Sequence, residues 1–185
     1  MVILTRADAE NYRFLRLYSI DLDTARQACD LLEGPYGAGV KYCVLRDVIV
    51  TYARPFSVNR GRVFRRHCLE VDVVPKQFLT LHDELVELRN RAFAHTDHDF
   101  RNPKLSRWKG ASGGATYPMS FANPEYERLL IRRSAIRELI AMVEDAVNAQ
   151  AKQFERLIDQ LYPEDVAPSG ESGDANRRAS DSPAG

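Results

Sequence analysis

The feature that most constrains the fold of this chain is a long helical pattern that begins at Asn123-Pro124-Glu125. An Asn cap, a proline at the first helical position and an acid near the positive end of the helix dipole together predict a helix start. A continuous helix over residues 124–162 would be about 58 Å long. We therefore expect either a break near Arg132–Ser134 or a protruding, dimer-forming helix. The apolar residues that recur at helical spacing are Tyr126, Leu129, Leu130, Ile136, Leu139, Ile140, Val143, Val147, Phe154, Leu157, Ile158 and Leu161.

Earlier segments carry similar but shorter patterns. Helices are predicted over Asp23–Glu33, Val40–Ala53 and Pro75–Thr96, whereas Tyr12–Tyr18 fits a helix or a strand. The second of these helices is apolar on most sides, which predicts a central place in the core. Residues 57–74 and 99–122 show no clear regular pattern. The fold class expected is therefore all-α, a four- to five-helix bundle with a long C-terminal helix.

The last residues differ in composition from the rest of the chain. Residues 163–185 are rich in Pro, Ser, Gly, Ala and Asp and hold no aromatic residue. Such a segment buries too little apolar surface to offset the entropy lost on ordering. We therefore predict one helical domain over residues 1–162 and a disordered tail over residues 163–185.

Composition narrows the function classes. Lys plus Arg and Asp plus Glu both number 26, so a nucleic-acid contact would depend on a local patch and not on the net charge. Cys29, Cys43 and Cys68 are odd in number without C-x-x-C spacing, which favours reduced, buried thiols over disulfides or zinc. The N-terminal apolar run is too short for a signal peptide or a membrane span, so we expect a cytoplasmic protein with no membrane partner. No nucleotide-binding loop is recognisable, and no cofactor is expected.

The predicted third helix places charged residues beside its apolar stripe. On an α-helix, Arg89 and His95 would flank the stripe about 120° apart and about 9 Å apart along the axis. Both would then face other protein and not open solvent. The residues of the stripe are Phe78, Leu81, Leu85, Leu88 and Ala92.

The run Leu-Arg-Asn-Arg-Ala-Phe-Ala-His-Thr-Asp resembles the motif of the HEPN superfamily, with Arg89, Asn90 and His95 at the matching positions. The resemblance implies a homodimer that brings two motif helices to one cleft and cleaves RNA without a metal. Arg89 would hold the phosphate, Asn90 would orient the site and His95 would move the proton of the 2′-hydroxyl. It also implies a toxin or phage-defence role with an antitoxin partner. The alternative is a catalytically inactive HEPN-like domain that binds a protein or nucleotide partner.

Several single-residue interpretations remain open on the sequence. Arg91 lies four residues before His95 and is a second candidate for the working arginine. Arg89 would instead be structural if it formed a salt bridge to Glu84, to Glu87 or to a neighbouring helix. His95 would be structural if it packed in the core. A metal site at the H-x-x-H pair of His95 and His98 is the weaker hypothesis, because no third ligand stands out.

Other basic and aromatic residues could contact RNA, and each of them also has a structural interpretation. The RNA-binding candidates besides Arg91 are Arg60, Arg62, Arg65 and Arg66, which would otherwise form a solvated or salt-bridged loop. Trp108 stands among Lys104, Arg107 and Lys109, where it would stack on a base or pack on the bundle. His67 and His82 are predicted to be surface or packing residues.

Overall fold

The computed structural model describes residues 5–93, 103–110, 113–120 and 126–161. Within these ranges the chain is mostly helical and forms a bundle with a long C-terminal helix, which confirms the predicted fold class. The predicted tail over residues 163–185 lies outside the described residues. The α-helices are α1 (Arg6–Leu31), α2 (Ala38–Ala53), α3 (Leu79–Leu88), α4 (Tyr126–Ile131) and α5 (Arg133–Leu161). Short 3₁₀ turns occupy Val71–Val73 and Lys76–Phe78, and a π-helical segment follows α3 at Arg89–Phe93.

Helix α1 is longer than the sequence pattern predicts. It starts at a capping box in which Thr5 Oγ1 accepts from the Asp8 N–H at 3.1 Å, while the Thr5 N–H donates to Asp8 Oδ2 at 2.9 Å. It then runs unbroken through the undecided segment, so the predicted start at Asp23 is wrong. Leu17 and Ile20 are 56% and 61% exposed. These apolar residues on the solvent side obscure the helical periodicity.

The expected break in the C-terminal helix is confirmed. Helix α4 ends at Ile131, Arg132 forms a turn, and α5 begins at Arg133. The Ile136 N–H donates to the Arg132 carbonyl at 3.0 Å, which starts the hydrogen-bond ladder of α5. None of the described helices is long and apolar enough to cross a membrane. The apolar stripe of α5 is fully buried at Ile136, Leu139, Ile140, Val143 and Val147.

Helices α1 and α5 pack against each other in antiparallel orientation. Tyr12 Oη donates to Glu155 Oε1 at 3.0 Å near one end of the pair. Ser19 Oγ and Asn148 Oδ1 are 2.7 Å apart in the middle. Residues later in α1 therefore contact residues earlier in α5, as expected for antiparallel helices. At the other end Arg133 donates to both carboxylate oxygens of Glu33, at 2.7 and 2.9 Å.

Helices α2 and α3 complete the core from one face each. On α2, Val40 is 51% exposed and Cys43 is exposed, so the predicted central place in the core holds for one face of the helix only. The reason is that α1 and α3 cover the face that carries Leu45, Val48, Ile49 and Tyr52. The predicted stripe of the third helix is confirmed at its four buried positions, and Phe78 is half-buried at its start. Those four positions are Leu81, Leu85, Leu88 and Ala92.

The region between α3 and α4, for which no pattern was predicted, contains a β-hairpin. Two short ladders share one register, in which Leu105 faces Met119 and Trp108 faces Thr116. Near its turn, Gly113 adopts a φ of +84°, which favours glycine. Every residue of 104–110 and 113–120 is exposed, so this part of the chain stands off the bundle. Its strands are β1 (Lys104–Leu105), β2 (Trp108–Lys109), β3 (Ala115–Thr116) and β4 (Met119–Ser120).

Candidate functional site

The segment that carries the motif arginine is a π-helix and not a continuation of α3. It covers Arg89–Phe93. A π turn closes hydrogen bonds one residue further along than an α turn, is rare, and is frequent at functional sites. The α-helical geometry behind the predicted angle between Arg89 and His95 is therefore absent from this segment. His95 and His98 lie outside the described residues.

Arg89 and Asn90 contact each other directly at the surface. Arg89 Nη1 donates to Asn90 Oδ1 at 2.9 Å, with Arg89 half-buried and Asn90 exposed. Within the described part of the chain Arg89 has no carboxylate partner. The guanidinium thus has a neutral hydrogen-bond acceptor that holds it while its charge remains available to an anion.

The two acids that were candidates to neutralise Arg89 are engaged elsewhere. Glu84 accepts from Arg132 at 2.6 Å and also from Arg128. Glu87 pairs with Arg91 at 3.0 Å. Burial raises the pKa of Glu84, but the hydrogen bonds of Arg128 and Arg132 outweigh it and leave that pKa below its ordinary value. The structural alternative for Arg89 through Glu84 or Glu87 is therefore wrong.

Arg91, the second candidate for the working arginine, stands in a different environment. It is half-buried and forms an ion pair with Glu87 one turn earlier, a spacing at which side chains meet on a helix. Its charge is thus partly neutralised within its own segment. Of the two candidate arginines, Arg89 has the freer positive charge.

Aromatic contacts fix the end of the π-helical segment against two other helices. The ring of Phe93 stacks on Tyr126 of α4 with centroids 6.1 Å apart. Tyr126 in turn meets Tyr42 of α2 edge to face at 4.3 Å, with the two hydroxyls 3.0 Å apart. In the sequence Tyr126 is part of the apolar helical pattern, and nothing there predicts that it meets Tyr42. Their only signal was that they are aromatic residues on two separate helices.

The candidate RNA-binding arginines fall into two places. Arg91 lies on the motif segment, whereas Arg60, Arg62, Arg65 and Arg66 lie on the loop between α2 and α3. That loop begins beyond the C-terminal end of α2, whereas the motif segment is linked through Tyr126 to Tyr42, near the N-terminal end of α2. From Tyr42 to Pro55 a helix extends about 20 Å. A single copy of the chain therefore does not bring the four loop arginines to Arg89.

The two described histidines are packing residues, as predicted. Nδ1 of His82 lies 2.8 Å from Tyr52 Oη in the core, where the imidazole is 3% exposed. His67 stacks on Phe14 at 4.2 Å and bonds through its two ring nitrogens to Tyr18 and Asn11, each at 2.8 Å. Burial lowers the pKa of both imidazoles, which disfavours a charged role.

The observed exposure of the cysteines and of Trp108 differs from two predictions. Cys29 is buried, and burial raises its pKa to about 12, but Cys43 is exposed and Cys68 is half-buried. The prediction of buried thiols therefore holds for Cys29 alone. Trp108 is 66% exposed on the hairpin, so the interpretation that it packs on the bundle is wrong.

Among the residues that the structure describes, no group of three potential metal ligands comes together.

Comparison with protein-family models, with curated proteins and with solved structures finds no match to this chain. The likeness to the HEPN superfamily accordingly depends on the sequence motif at Arg89, Asn90 and His95.

Proposed function

We propose that this protein is a metal-independent endoribonuclease whose site is built on Arg89, Asn90 and His95. The proposal is supported above all by the hydrogen bonding of Arg89. Its guanidinium is held by Asn90 at 2.9 Å, while Glu84 and Glu87 are occupied by other arginines. An arginine positioned in this way, without a carboxylate partner among the described residues, is suited to bind a phosphate.

In the proposed reaction the 2′-hydroxyl of the RNA attacks the adjacent phosphorus and displaces the 5′-oxygen of the next nucleotide. The products are a 2′,3′-cyclic phosphate and a free 5′-hydroxyl. Arg89 stabilises the negative charge that develops on the phosphoryl oxygens through two parallel hydrogen bonds. His95 supplies proton transfer, because imidazole titrates near neutrality. Asn90 keeps the guanidinium in place.

A homodimer is part of the proposal, because two motif segments would surround one phosphate. Apolar surface at the motif end of the bundle supports it. Ile131 is 79% exposed at the end of α4, and Val40 is 51% exposed in the first turn of α2. Leu31 and Tyr36, between α1 and α2, are 51% and 46% exposed. Exposed apolar side chains at one end of a molecule are suited to a protein contact where they form one contiguous patch. A toxin or phage-defence role, with an antitoxin partner that restrains cleavage, is the part of the proposal that rests on the resemblance to the HEPN superfamily.

The second candidate function is a catalytically silent domain that binds a protein or nucleotide partner. It is supported by features that need no catalysis. The hairpin carries Lys104, Arg107 and Lys109 together with the exposed ring of Trp108, and none of its described residues is acidic. A surface of this kind binds an anionic partner whether or not Arg89 acts on a phosphate.

RNA cleavage with EDTA present tests the proposal on purified wild type, Arg89→Gln, Arg46→Gln and His95→Ala. Arg46 is an exposed arginine on α2 and serves as the matched control for loss of one charge. We expect Arg46→Gln to cleave like wild type and the other two variants to lose cleavage while folded. The wild-type product should end in a cyclic phosphate. No cleavage by wild type, or full cleavage by folded Arg89→Gln, would overturn the nuclease assignment and favour the silent domain.

A further inference from the structure

The loop between α2 and α3 carries four exposed arginines in seven residues, at positions 60, 62, 65 and 66. None of the four forms an ion pair within the described part of the chain. Three arginines of α1 and α5 contrast with them. Arg26, Arg133 and Arg137 each pair with an acid across α1 and α5 or within α1. The loop therefore holds a concentration of positive charge that the fold itself leaves unneutralised.

A buried carboxylate fixes the shape of this loop. Glu10 of α1 is 9% exposed, and its oxygens accept from the backbone N–H groups of Arg62, Val63 and Phe64 at 2.6, 2.8 and 2.7 Å. Three consecutive N–H groups thus point at one side chain. These charge-assisted bonds are stronger than bonds to a neutral acceptor. The carboxylate lies under the backbone, so the arginine side chains are left outside.

A second set of contacts closes the base of the loop. Asn59 and His67 exchange two backbone hydrogen bonds, at 2.8 and 2.9 Å, which bring the ends of residues 59–67 together. The Asn59 side chain also donates to the Ser57 carbonyl at 2.7 Å. Phe64 packs edge to face on the His67 ring at 5.2 Å. The loop is consequently held at both its base and its tip.

We propose that this arginine loop, residues 58–66, binds the phosphodiester backbone of single-stranded nucleic acid, with Glu10 as a positioning residue. The backbone would be that of RNA under the proposed function, on which this inference rests. The loop borders a cavity of about 580 Å³ whose lining contains three arginines and no acid. A guanidinium group can bind two phosphate oxygens at once, and contacts to phosphate carry no base information, so binding through them is independent of sequence. The lining residues are Val58, Arg60, Gly61, Arg65 and Arg66.

The test is the affinity of the full chain for a labelled 2′-O-methyl RNA, measured by fluorescence anisotropy over a range of salt. This ligand has no free 2′-hydroxyl and is not cleaved, so binding is separated from the proposed nuclease activity. For single strands, log K falls with log salt by about 0.7 per neutralised phosphate. The double variant Arg60→Gln, Arg65→Gln should therefore bind about 25-fold more weakly at about 0.1 M salt, with a slope smaller by about 1.4.

The matched control is Arg133→Gln, Arg137→Gln, which makes the same change in net charge on the α1–α5 flank. It should keep the wild-type salt slope. An equal loss of slope in both double variants would show a general charge effect and overturn the site. So would wild-type binding in the Arg60→Gln, Arg65→Gln protein. If inorganic tripolyphosphate competes as well as the RNA analogue at equal phosphate concentration, the ligand is a free polyphosphate and the backbone assignment is wrong.

The role of Glu10 is tested by Glu10→Gln in the same assay. Removal of one negative charge beside the loop strengthens RNA binding by electrostatics alone. The amide of Gln has one acceptor oxygen in place of two, so at least one of the three N–H contacts is lost, which loosens the arginines and weakens binding. We expect weaker binding at every salt concentration with an unchanged slope, because no arginine is lost. Tighter binding would overturn the positioning role. If Glu10→Gln does not fold, Gly61→Ala disturbs the same contact without a change of charge.

Discussion

Gly61 lies so close to Glu10 that a side chain at position 61 has no room. A Cβ at this position would be 2.6 Å from Cδ of Glu10 and 2.6 Å from its Oε2. The φ of Gly61 is not the reason, because it lies outside the left-handed region. The glycine is required by the close approach of the loop backbone to the carboxylate.

The first prediction is that Gly61→Ala destabilises the fold by about 1–3 kcal/mol, since an added methyl group must displace the carboxylate or the loop. The free energy of unfolding in urea measures the effect. Gly39→Ala on α2 is the control, because a Cβ there would meet no atom within 4 Å. Alanine is the better helix former, so this control should be neutral or stabilising. Equal effects of the two substitutions would contradict the close contact.

A second prediction concerns acid stability. The backbone hydrogen bond from Phe64, with those from Arg62 and Val63, holds the pKa of Glu10 below its ordinary value of 4.5 despite burial. The folded state therefore binds the proton less readily than the unfolded state. Glu10 thus contributes stability that is fully present above pH 4.5 and is lost as pH falls through the folded-state pKa.

Unfolding free energies measured from neutral pH down into the acid range should therefore fall more steeply for wild type than for Glu10→Gln. The other carboxylates with lowered pKa are common to both proteins and cancel in the difference. Parallel curves for the two proteins would show that the Glu10 carboxylate is not held by the loop.

A third prediction concerns the buried pair of Tyr52 and His82. Their hydrogen bond is 2.8 Å long, and Tyr52 is fully buried. Tyr52→Phe leaves Nδ1 of His82 without its partner and should cost about 1–2 kcal/mol. Tyr36→Phe is the control, because the Tyr36 side chain is 46% exposed and should tolerate the change. Chemical denaturation of both variants provides the comparison, and a neutral Tyr52→Phe would place water or another donor at His82.

The fourth prediction uses Trp108, which is the single tryptophan of the chain. Because its side chain is 66% exposed, its fluorescence should resemble that of free tryptophan in water and be readily quenched by acrylamide. Trp108→Ala should change the free energy of unfolding by no more than about 0.5 kcal/mol. Blue-shifted, protected emission would mean that the hairpin packs against another surface.

Local patterns in the sequence determined the elements that depend on neighbouring residues. The periodicity from Tyr126 onward predicted the long C-terminal helix, because apolar spacing reports the face a helix buries. The length of that pattern indicated the break near Arg132 as one of two alternatives. The spacing of Leu81, Leu85 and Leu88 likewise predicted the buried face of α3. The start of α1 was also encoded locally, in the capping box of Thr5 and Asp8, but exposed apolar residues masked it.

Contacts between residues far apart in the chain decided the rest. The shape of the arginine loop depends on Glu10, more than fifty residues away from the N–H groups it accepts. The π-helical segment at Arg89–Phe93 meets Tyr126 on another helix, although its sequence alone fits an α-helix. Local spacing sets the helices and their buried faces, whereas a loop or a π turn adopts the form that its distant partners stabilise. Only the tertiary structure therefore shows that Arg89 bonds to Asn90 and that the loop arginines lie at the other end of the bundle.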